Sequence, residues 1–457
     1  MSQGKYSLTR IKHQGTFMLK RLQTRTMSTF RIQSLVNLLT RDRVCVYPWL
    51  ASGGLLAGWL ISMALGSGWT DIAGNVVGND FLAFYSAATM VAEDPGAPLY
   101  DPHIIQDVQR SLVPEMNETN MVPYLNPPEA LVWFRPFAAF KFGPALLLWW
   151  TLSLMAWIVG HRLLRGVMLR CDWSLRQMVT MSFLFPPTVL WVMYGQATPF
   201  LFLILVGSLV LLVRGRDFAA GACLGLLAFK PHVALGLAVP ILAGRRWSAI
   251  AGGGITLGLQ IILAEWLWPG QHSAFIEARD YVMGVLVDPF YPTWGVQSVY
   301  GFFHLMIGPF APSVADFLTG LVGVIGVSLL GWGWWGIGWT TGSIRWRIAM
   351  AATMLAVLPL GIQLFSYDTA LFLIPFWLVV DAIGAKPGAG VDPVLDAGPI
   401  LVGSAVLWVL AFVGPYLSMA MRAGTAALIP PGLALQLFLP ATLLMAWAIW
   451  PQAPSAD

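Results

Sequence analysis

Charge is scarce in this sequence. Only 11% of its 457 residues are Asp, Glu, Lys or Arg, against about 25% in a typical soluble domain. Cysteine is scarcer still. Cys45, Cys171 and Cys223 lie far apart, with neither CxxC nor metal-ligand spacing, which argues against a disulfide framework and a zinc site. Nucleotide fingerprints are missing: there is no Walker A sequence, no GxGxxG after a strand and no HExxH. ATP and sugar nucleotides are therefore not the expected substrates, and no cofactor or metal is expected. The net charge of +4 is carried by basic loops and does not point to nucleic acid.

Apolar runs fill the space that charge leaves. Hydrophobic residues make up 57% of the chain and mean hydropathy is +0.70. Runs such as 199–213 (PFLFLILVGSLVLLV) and 399–413 (PILVGSAVLWVLAFV) lack the alternation of a barrel strand and read as membrane helices. The expected fold is all-α and polytopic. About twelve transmembrane segments are expected, near 49–66, 144–163, 177–194, 199–213, 218–229, 232–243, 247–268, 314–338, 347–364, 369–384, 399–417 and 431–450. Residues 1–48 form a basic tail, 49–450 the membrane domain and 451–457 a short C-terminal tail. Segments 218–229 and 232–243 are short: either two short helices or one kinked span fits them. Segment 127–141 reads as a half-helix or a true span.

The basic residues give sidedness. With the N-terminus inside and the segments alternating, the inside holds 20 of the 26 Lys and Arg residues, as the positive-inside rule favours. Both termini are then cytoplasmic. The first external loop, about 67–143, is helical, and the unusual polar clusters fall on the external side.

These clusters are the candidate site. The loop stretch GNDFLAFYSAATMVAEDPGAPLYD (78–101) contains an expected amphipathic helix at the interface. Asp80 is read two ways: as the N-cap of that helix, or as a general base taking a proton from a sugar or inositol hydroxyl. Tyr85, a turn later, can orient an acceptor. Asp101 is an N-cap. Lys230 ends an apolar run and is followed by Pro231 and His232; it is either a snorkelling lysine or a ligand for a lipid phosphate, with His232 as a second donor. Gln196, in YGQATPF, is a turn residue or a pocket amide. Asp368, beside Tyr367 in FSYD, is an N-cap or a pocket acid. Asn126 opens NPPE (126–129), and Arg135 follows on an apolar face, needing either Glu129 or a substrate phosphate. Gln297 lies in VQSVYG (296–301).

In this order the clusters resemble glycosyltransferase family 87, also called DUF2029, of the GT-C superfamily. The matching strings are DFLAFYSAA with LYD, NPPEALVWFRPFAAF, GQATPFLFLILVGSLVLLVRGRDFAAGACLGLLAFKPHVAL with RRW, QSVYG and SYD, spanning about residues 78–370. The resemblance, which extends to polyprenyl-phosphomannose-dependent mannosyltransferases, implies a GT-C fold. It implies a polyprenyl-phosphate hexose donor, with mannose as the family-level guess, and a lipid or glycan acceptor. Transfer would occur with inversion at the external face of a bacterial inner membrane, with Asp80 as the base. SYD offers Asp368 where a histidine would be the alternative, and no DxD pair accompanies Asp80. Two other functions are weighed: a flippase for lipid-linked sugars, and a non-catalytic partner in envelope assembly. No convincing repeat relates the two halves, as a transporter would show.

Overall fold

The computed structural model describes residues 34, 37–117, 120–168, 173–287, 292–335, 337, 339–383, 397–428 and 432–450. Most of the basic tail and all of the 451–457 tail lie outside the described residues, as does Cys171. Among the described residues every regular element is a helix; the only β pairing is the isolated bridges Thr70–Val76 and Val296–Phe365.

Among the described residues six helices are long and apolar enough to cross a membrane: Val46–Ala64, Phe142–Arg165, Trp247–Leu267, Pro312–Trp335, Ser366–Ile383 and Gly398–Thr425. The other apolar segments form shorter helices. The 177–194 segment breaks into Leu175–Ser182 and Pro186–Tyr194, because Pro186 and Pro187 lack the N–H groups that would continue the first helix. The 347–364 segment becomes the 17-residue helix Ile344–Leu360, about 26 Å long beside a hydrocarbon core of about 30 Å. The helix that carries the first apolar run starts at Arg41, with Thr40 as its cap, ahead of the run expected from residue 49.

The two ambiguous regions resolve. Asp217–Phe229 and Pro231–Ala243 are the two legs of a hairpin that turns at Lys230, each leg 13 residues long, about 20 Å. The far ends of the hairpin meet: Arg246 pairs with Asp217 and lies 5.7 Å over the Trp339 ring. A single kinked span would hold those ends apart. Residues 127–141 form a short helix, Glu129–Phe134, and a 3-10 turn, Arg135–Ala139. The half-helix is what forms, because Pro136 ends it.

The hairpin packs closely along its first leg. A Cβ on Gly221 would sit 1.7 Å from the Ala249 carbonyl oxygen, and one on Gly252 would sit 2.1 Å from that of Phe218. Backbone therefore lies on backbone between Asp217–Gly225 and Trp247–Leu267, a small-residue contact common between membrane helices.

The helix in the opening loop stretch differs from expectation. Asn79–Glu93 is not a surface amphipathic helix: ten of its fifteen residues are buried, and Phe81, Leu82, Ala87 and Ala88 are fully so. Phe84 stacks on Phe134 with ring centroids 4.1 Å apart, and Phe81 stacks on Trp149 at 5.6 Å. The helix is wedged between the Glu129–Phe134 half-helix and Phe142–Arg165. Its apolar residues occupy all faces because all faces have neighbours.

Arginines gather at the other end of these helices. Arg347 donates to the carbonyls of Val167 and Gly342 and lies 3.9 Å from Asp381. From that end Thr198–Val213 and Pro231–Ala243 run to the end where Gln196, Thr198 and Lys230 sit.

Candidate functional site

Six polar residues from four separated motifs converge at that end. Gln196 is at the centre. Its Nε2 donates to Asp80 Oδ2 at 2.6 Å and to the Tyr367 hydroxyl at 3.0 Å. Its Oε1 accepts from Lys230 Nζ at 3.3 Å and from the Ala197 backbone N–H at 3.1 Å. Lys230 also donates to Asp368 Oδ2 at 3.0 Å, and Thr198 Oγ1 donates to Asp368 Oδ1 at 2.7 Å. Lys230 Nζ lies 5.5 Å from the centroid of the Tyr367 ring, within cation–π range.

Local sequence explains how each part arrives. Asp80 is in the first turn of Asn79–Glu93, but the N-cap is Gly78, with φ +69° and no side-chain cap. The N-cap reading of Asp80 is thus set aside, and its carboxylate faces Gln196 instead. Gly78 donates its N–H to the Met193 carbonyl at 3.1 Å. A Cβ on Gly195 (φ +67°) would come 2.8 Å from Phe81 Cβ and 3.3 Å from Gly78 Cα. Only glycine allows this left-handed turn at this approach, so GND and YGQ are pressed together. Gly195 ends the Pro186–Tyr194 helix and Thr198 opens the next. Lys230 sits between a 3-10 turn, Leu226–Phe229, and Pro231 at the start of the second hairpin leg. Tyr367 and Asp368 occupy a 3-10 turn, Ser366–Phe372.

The residues around Gln297 brace that turn. Val296 bridges to Phe365, the Gln297 N–H donates to the Leu364 carbonyl at 2.6 Å, and Ser366 Oγ donates to the Gly295 carbonyl at 2.9 Å. The Gln297 side chain is fully buried, with its Nε2 donating to Trp294 O at 3.4 Å, outside the Gln196 network.

The Asp80 carboxyl is partly buried, and desolvation pushes its pKa up from 3.8 to about 6. Hydrogen bonds from Gln196 and Tyr367 and the Lys230 charge pull the other way, while Asp368 adds to the rise. A carboxyl tuned near neutrality is suited to accept a proton. Lys230 has three N–H donors, two of which face Gln196 and Asp368. His232 stands beside this pair; its ring interacts with the Gln363 backbone, and its buried Nε2 has no partner among the described residues.

Other expected residues stand apart. The Tyr85 hydroxyl donates to the Phe140 carbonyl at 2.7 Å, and its side chain is buried in the aromatic core, so it does not face Asp80. Asn126 offers its carbonyl to the Tyr100 hydroxyl at 3.0 Å. Arg135 has no ion-pair or hydrogen-bond partner among the described residues. The half-helix that ends just before it packs near Lys230 through Trp133, whose ring lies 6.0 Å from that of Phe229. Glu129 is not its partner, because Glu129 pairs with His272 at 3.1 Å. Asp101 does cap its helix, accepting from the N–H groups of His103 and Ile104.

Two features escaped the sequence reading. Thr198, the support for Asp368, looked like an ordinary helix-start threonine. His272 bridges Glu129 and Glu265 (2.7 Å), while Gln271 donates to the carbonyls of Pro95 and Ala97. The QHS stretch (271–273) therefore clamps the PGAPLYD turn to the NPPE helix. Its one signal was a histidine after a Trp-Pro-Gly turn in a chain poor in charge.

Taken together, these features define a helical membrane protein with an acid–amide–lysine–acid network at one end of its bundle. Residues 124–360, just over half the chain, match glycosyltransferase family 87, and the chain belongs to that family; the GT-C superfamily is consistent with this. It is thus a membrane glycosyltransferase by family. Gln196, Thr198 and Lys230 lie inside the matched region, whereas Asp80, Tyr367 and Asp368 lie outside it. Neither the curated proteins nor the solved structures yield a significant match to the chain.

Proposed function

We propose that this protein transfers a hexose from a polyprenyl-phosphate donor to a hydroxyl of a lipid or glycan acceptor, at the external face of a bacterial inner membrane. Mannose is the sugar to test first. The observation that carries this reading is the Asp80 carboxyl, held by Gln196 beside Lys230 and raised to about 6. It supplies a base and a cation within one network.

The reaction is a single displacement. The acceptor oxygen attacks the anomeric carbon as the bond from that carbon to the phosphate oxygen breaks. The acceptor proton passes to Asp80, and the bonding pair leaves on the polyprenyl phosphate. Attack from the face opposite the leaving group inverts the anomeric centre. The third N–H of Lys230 and the guanidinium of Arg135, which has no partner among the described residues, are assigned to the departing phosphate, with His232 joining them in its doubly protonated form; fixed positive charge there lowers the barrier most. The leaving phosphate is already a weak base, so one base and a cationic cradle suffice. The polyprenyl chain lies among apolar helices. Gln196, Tyr367 and Asp368 complete the polar walls, and Gln297 acts through the turn that it braces. The external location is supported by the expected alternation of twelve segments, which assigns 20 of the 26 Lys and Arg residues to the inside.

The test uses the purified full-length chain in lipid nanodiscs and liposomes, with synthetic polyprenyl-phosphate mannose and a membrane lipid extract. A new mannosylated lipid or glycan is the expected result. Movement of intact donor between leaflets, with no glycosidic product from any hexose donor, would overturn the proposal in favour of a flippase.

A further inference from the structure

We infer that Lys230 is a positioning residue for the base: it fixes the amide of Gln196 in the one orientation that presents Nε2 to Asp80. The inference rests on Asp80 being the base of the proposed transfer. Its test reads the Asp80 carboxyl directly, so the two can fail separately.

The argument begins with the hydrogen-bonding capacity of Gln196. A glutamine side chain has two N–H donors and one oxygen with two lone pairs. All are used: Nε2 donates to Asp80 and Tyr367, and Oε1 accepts from Lys230 and the Ala197 N–H. Rotating the amide by half a turn would set Oε1 against the Asp80 carboxylate and Nε2 against an ammonium and an N–H. The contacts to Asp80, Lys230 and the Ala197 N–H would all become repulsive or unmatched; only the Tyr367 hydroxyl, which donates as well as accepts, could adapt. Gln196 is 5% exposed, so water does not rescue the wrong orientation. Ala197, its sequence neighbour, gives one of the two orienting donors; Lys230, from 34 residues away, gives the charged one.

Lys230 is in turn held from behind. Asp368 is 1% exposed and takes the ammonium at 3.0 Å, while Thr198 donates to its other oxygen at 2.7 Å. Thr198 follows Gln196 by two residues, so the chain closes a ring: Gln196, Lys230, Asp368, Thr198 and back along the backbone. A snorkelling lysine would reach for water instead of this buried carboxylate. The ionisable groups facing Asp80 are Lys230, Tyr367, Asp368 and Tyr194, and His232 faces Lys230 and Asp368. Lys230 is the one cation among the first four.

The arrangement separates two effects of Lys230 on the base: a through-space charge, and an amide locked in a donating orientation. Removing Lys230 with Gln196 present loses both. Removing it after Gln196 has been replaced by an apolar residue loses only the first. The difference measures the positioning role.

The experiment is infrared titration of the Asp80 carboxyl in nanodiscs, each spectrum taken as the difference from the matching Asp80→Asn protein. Wild type, Lys230→Met, Gln196→Leu and the double variant are compared. Lys230→Met is expected to raise the Asp80 midpoint by about one pH unit in the presence of Gln196, and by less than half as much in Gln196→Leu. Equal displacement in both backgrounds, or none in either, would overturn the inference. Thr198→Val is the gentler companion should Lys230→Met not fold. It loosens Asp368 behind the lysine and should move the midpoint the same way by a smaller amount; an unmoved midpoint counts against the inference. Turnover is then followed against pH in the same proteins. Where the acid limb of kcat/KM tracks the infrared midpoint, Asp80 is the base whose position Lys230 sets. Where the midpoint moves and the limb does not, the positioning stands and the base assignment falls.

Discussion

Replacing Asp80 with asparagine separates catalysis from stability, and the structure gives a sign for each. Burial raises the carboxyl from 3.8 to about 6, with Gln196, Lys230 and Tyr367 opposing part of the rise. The folded protein therefore holds this proton more tightly than the unfolded chain does. Below about 3.8 both states are protonated and the group costs nothing. Above about 6 the folded state carries an ionised carboxylate in a site that disfavours it. Stability falls as pH rises across that interval, and the loss is complete by neutrality. At about 1.4 kcal/mol for each pH unit, the interval corresponds to about 3 kcal/mol. Asparagine has the same shape and no charge, and its Oδ1 still accepts from Gln196 Nε2.

The variant should then be inactive and more stable. Loss of a general base costs about 10²–10⁴ in turnover, read as mannosylated product from the purified protein. Thermal unfolding in detergent at pH 7.5 should occur at a higher temperature than wild type. That gap should close as the pH approaches 4. Wild-type turnover should fall as the pH drops through about 6, as the base takes up its proton. Retained turnover would remove Asp80 from the chemistry. A variant less stable than wild type at pH 7.5 would refute the burial argument, whatever its activity.

Three further outcomes follow from contacts away from that carboxyl. Lys230→Met leaves the buried Asp368 carboxylate without its cation and should destabilise the protein by about 3–5 kcal/mol. Adding Asp368→Asn should restore much of the lost melting temperature, though not activity. Gly221→Ala should abolish folded protein in fluorescence-detected gel filtration, because its Cβ would meet the Ala249 carbonyl, whereas Gly254→Ala, with open space around it, should behave as wild type. At His272, burial lowers the pKa, but hydrogen bonds from its ring to Glu265 and Glu129 outweigh it and the net shift is upward. The clamp is thus fully formed below about 6.5 and weakens as the pH rises through the higher folded value. Hydrogen exchange in 95–101 should be slower at pH 6 than at pH 9 after correction for intrinsic rates, and His272→Gln should remove that difference.

The parts of the site legible in the sequence were those that break an apolar background. Lys230 after GLLAF, Gln196 between two apolar runs and Asp80 after GN each draw attention because charge and amide are rare here. What remained hidden was who meets whom. Asp80 and Gln196 are 116 residues apart, Lys230 and Asp368 are 138 apart, and Thr198 and Asp368 are 170 apart. No local pattern encodes those pairings. The amphipathic reading of Asn79–Glu93 failed for a related reason. Periodicity reports which face meets water, and this helix, walled in by Phe134, Phe142 and Trp149, has little such face. The N-cap reading of Asp80 failed because the turn ahead of it must be glycine to reach Gly195, and that glycine took the capping position.

The scarcity of charge that made these residues visible also makes their pairing informative. In an apolar bundle an ionised side chain needs a partner or a ligand. Asp368 has Lys230 and Thr198; Glu129 has His272; Arg347 has Asp381 and two carbonyls. Arg135 has no partner among the described residues, although the half-helix just before it packs through Trp133 against Phe229, one residue before Lys230. His232 Nε2, on the far side of Lys230 in the chain, is also buried without a partner among the described residues. An open N–H on a half-buried lysine describes a place for an anion, and the transfer proposed above would release one, the phosphate of its lipid-linked donor.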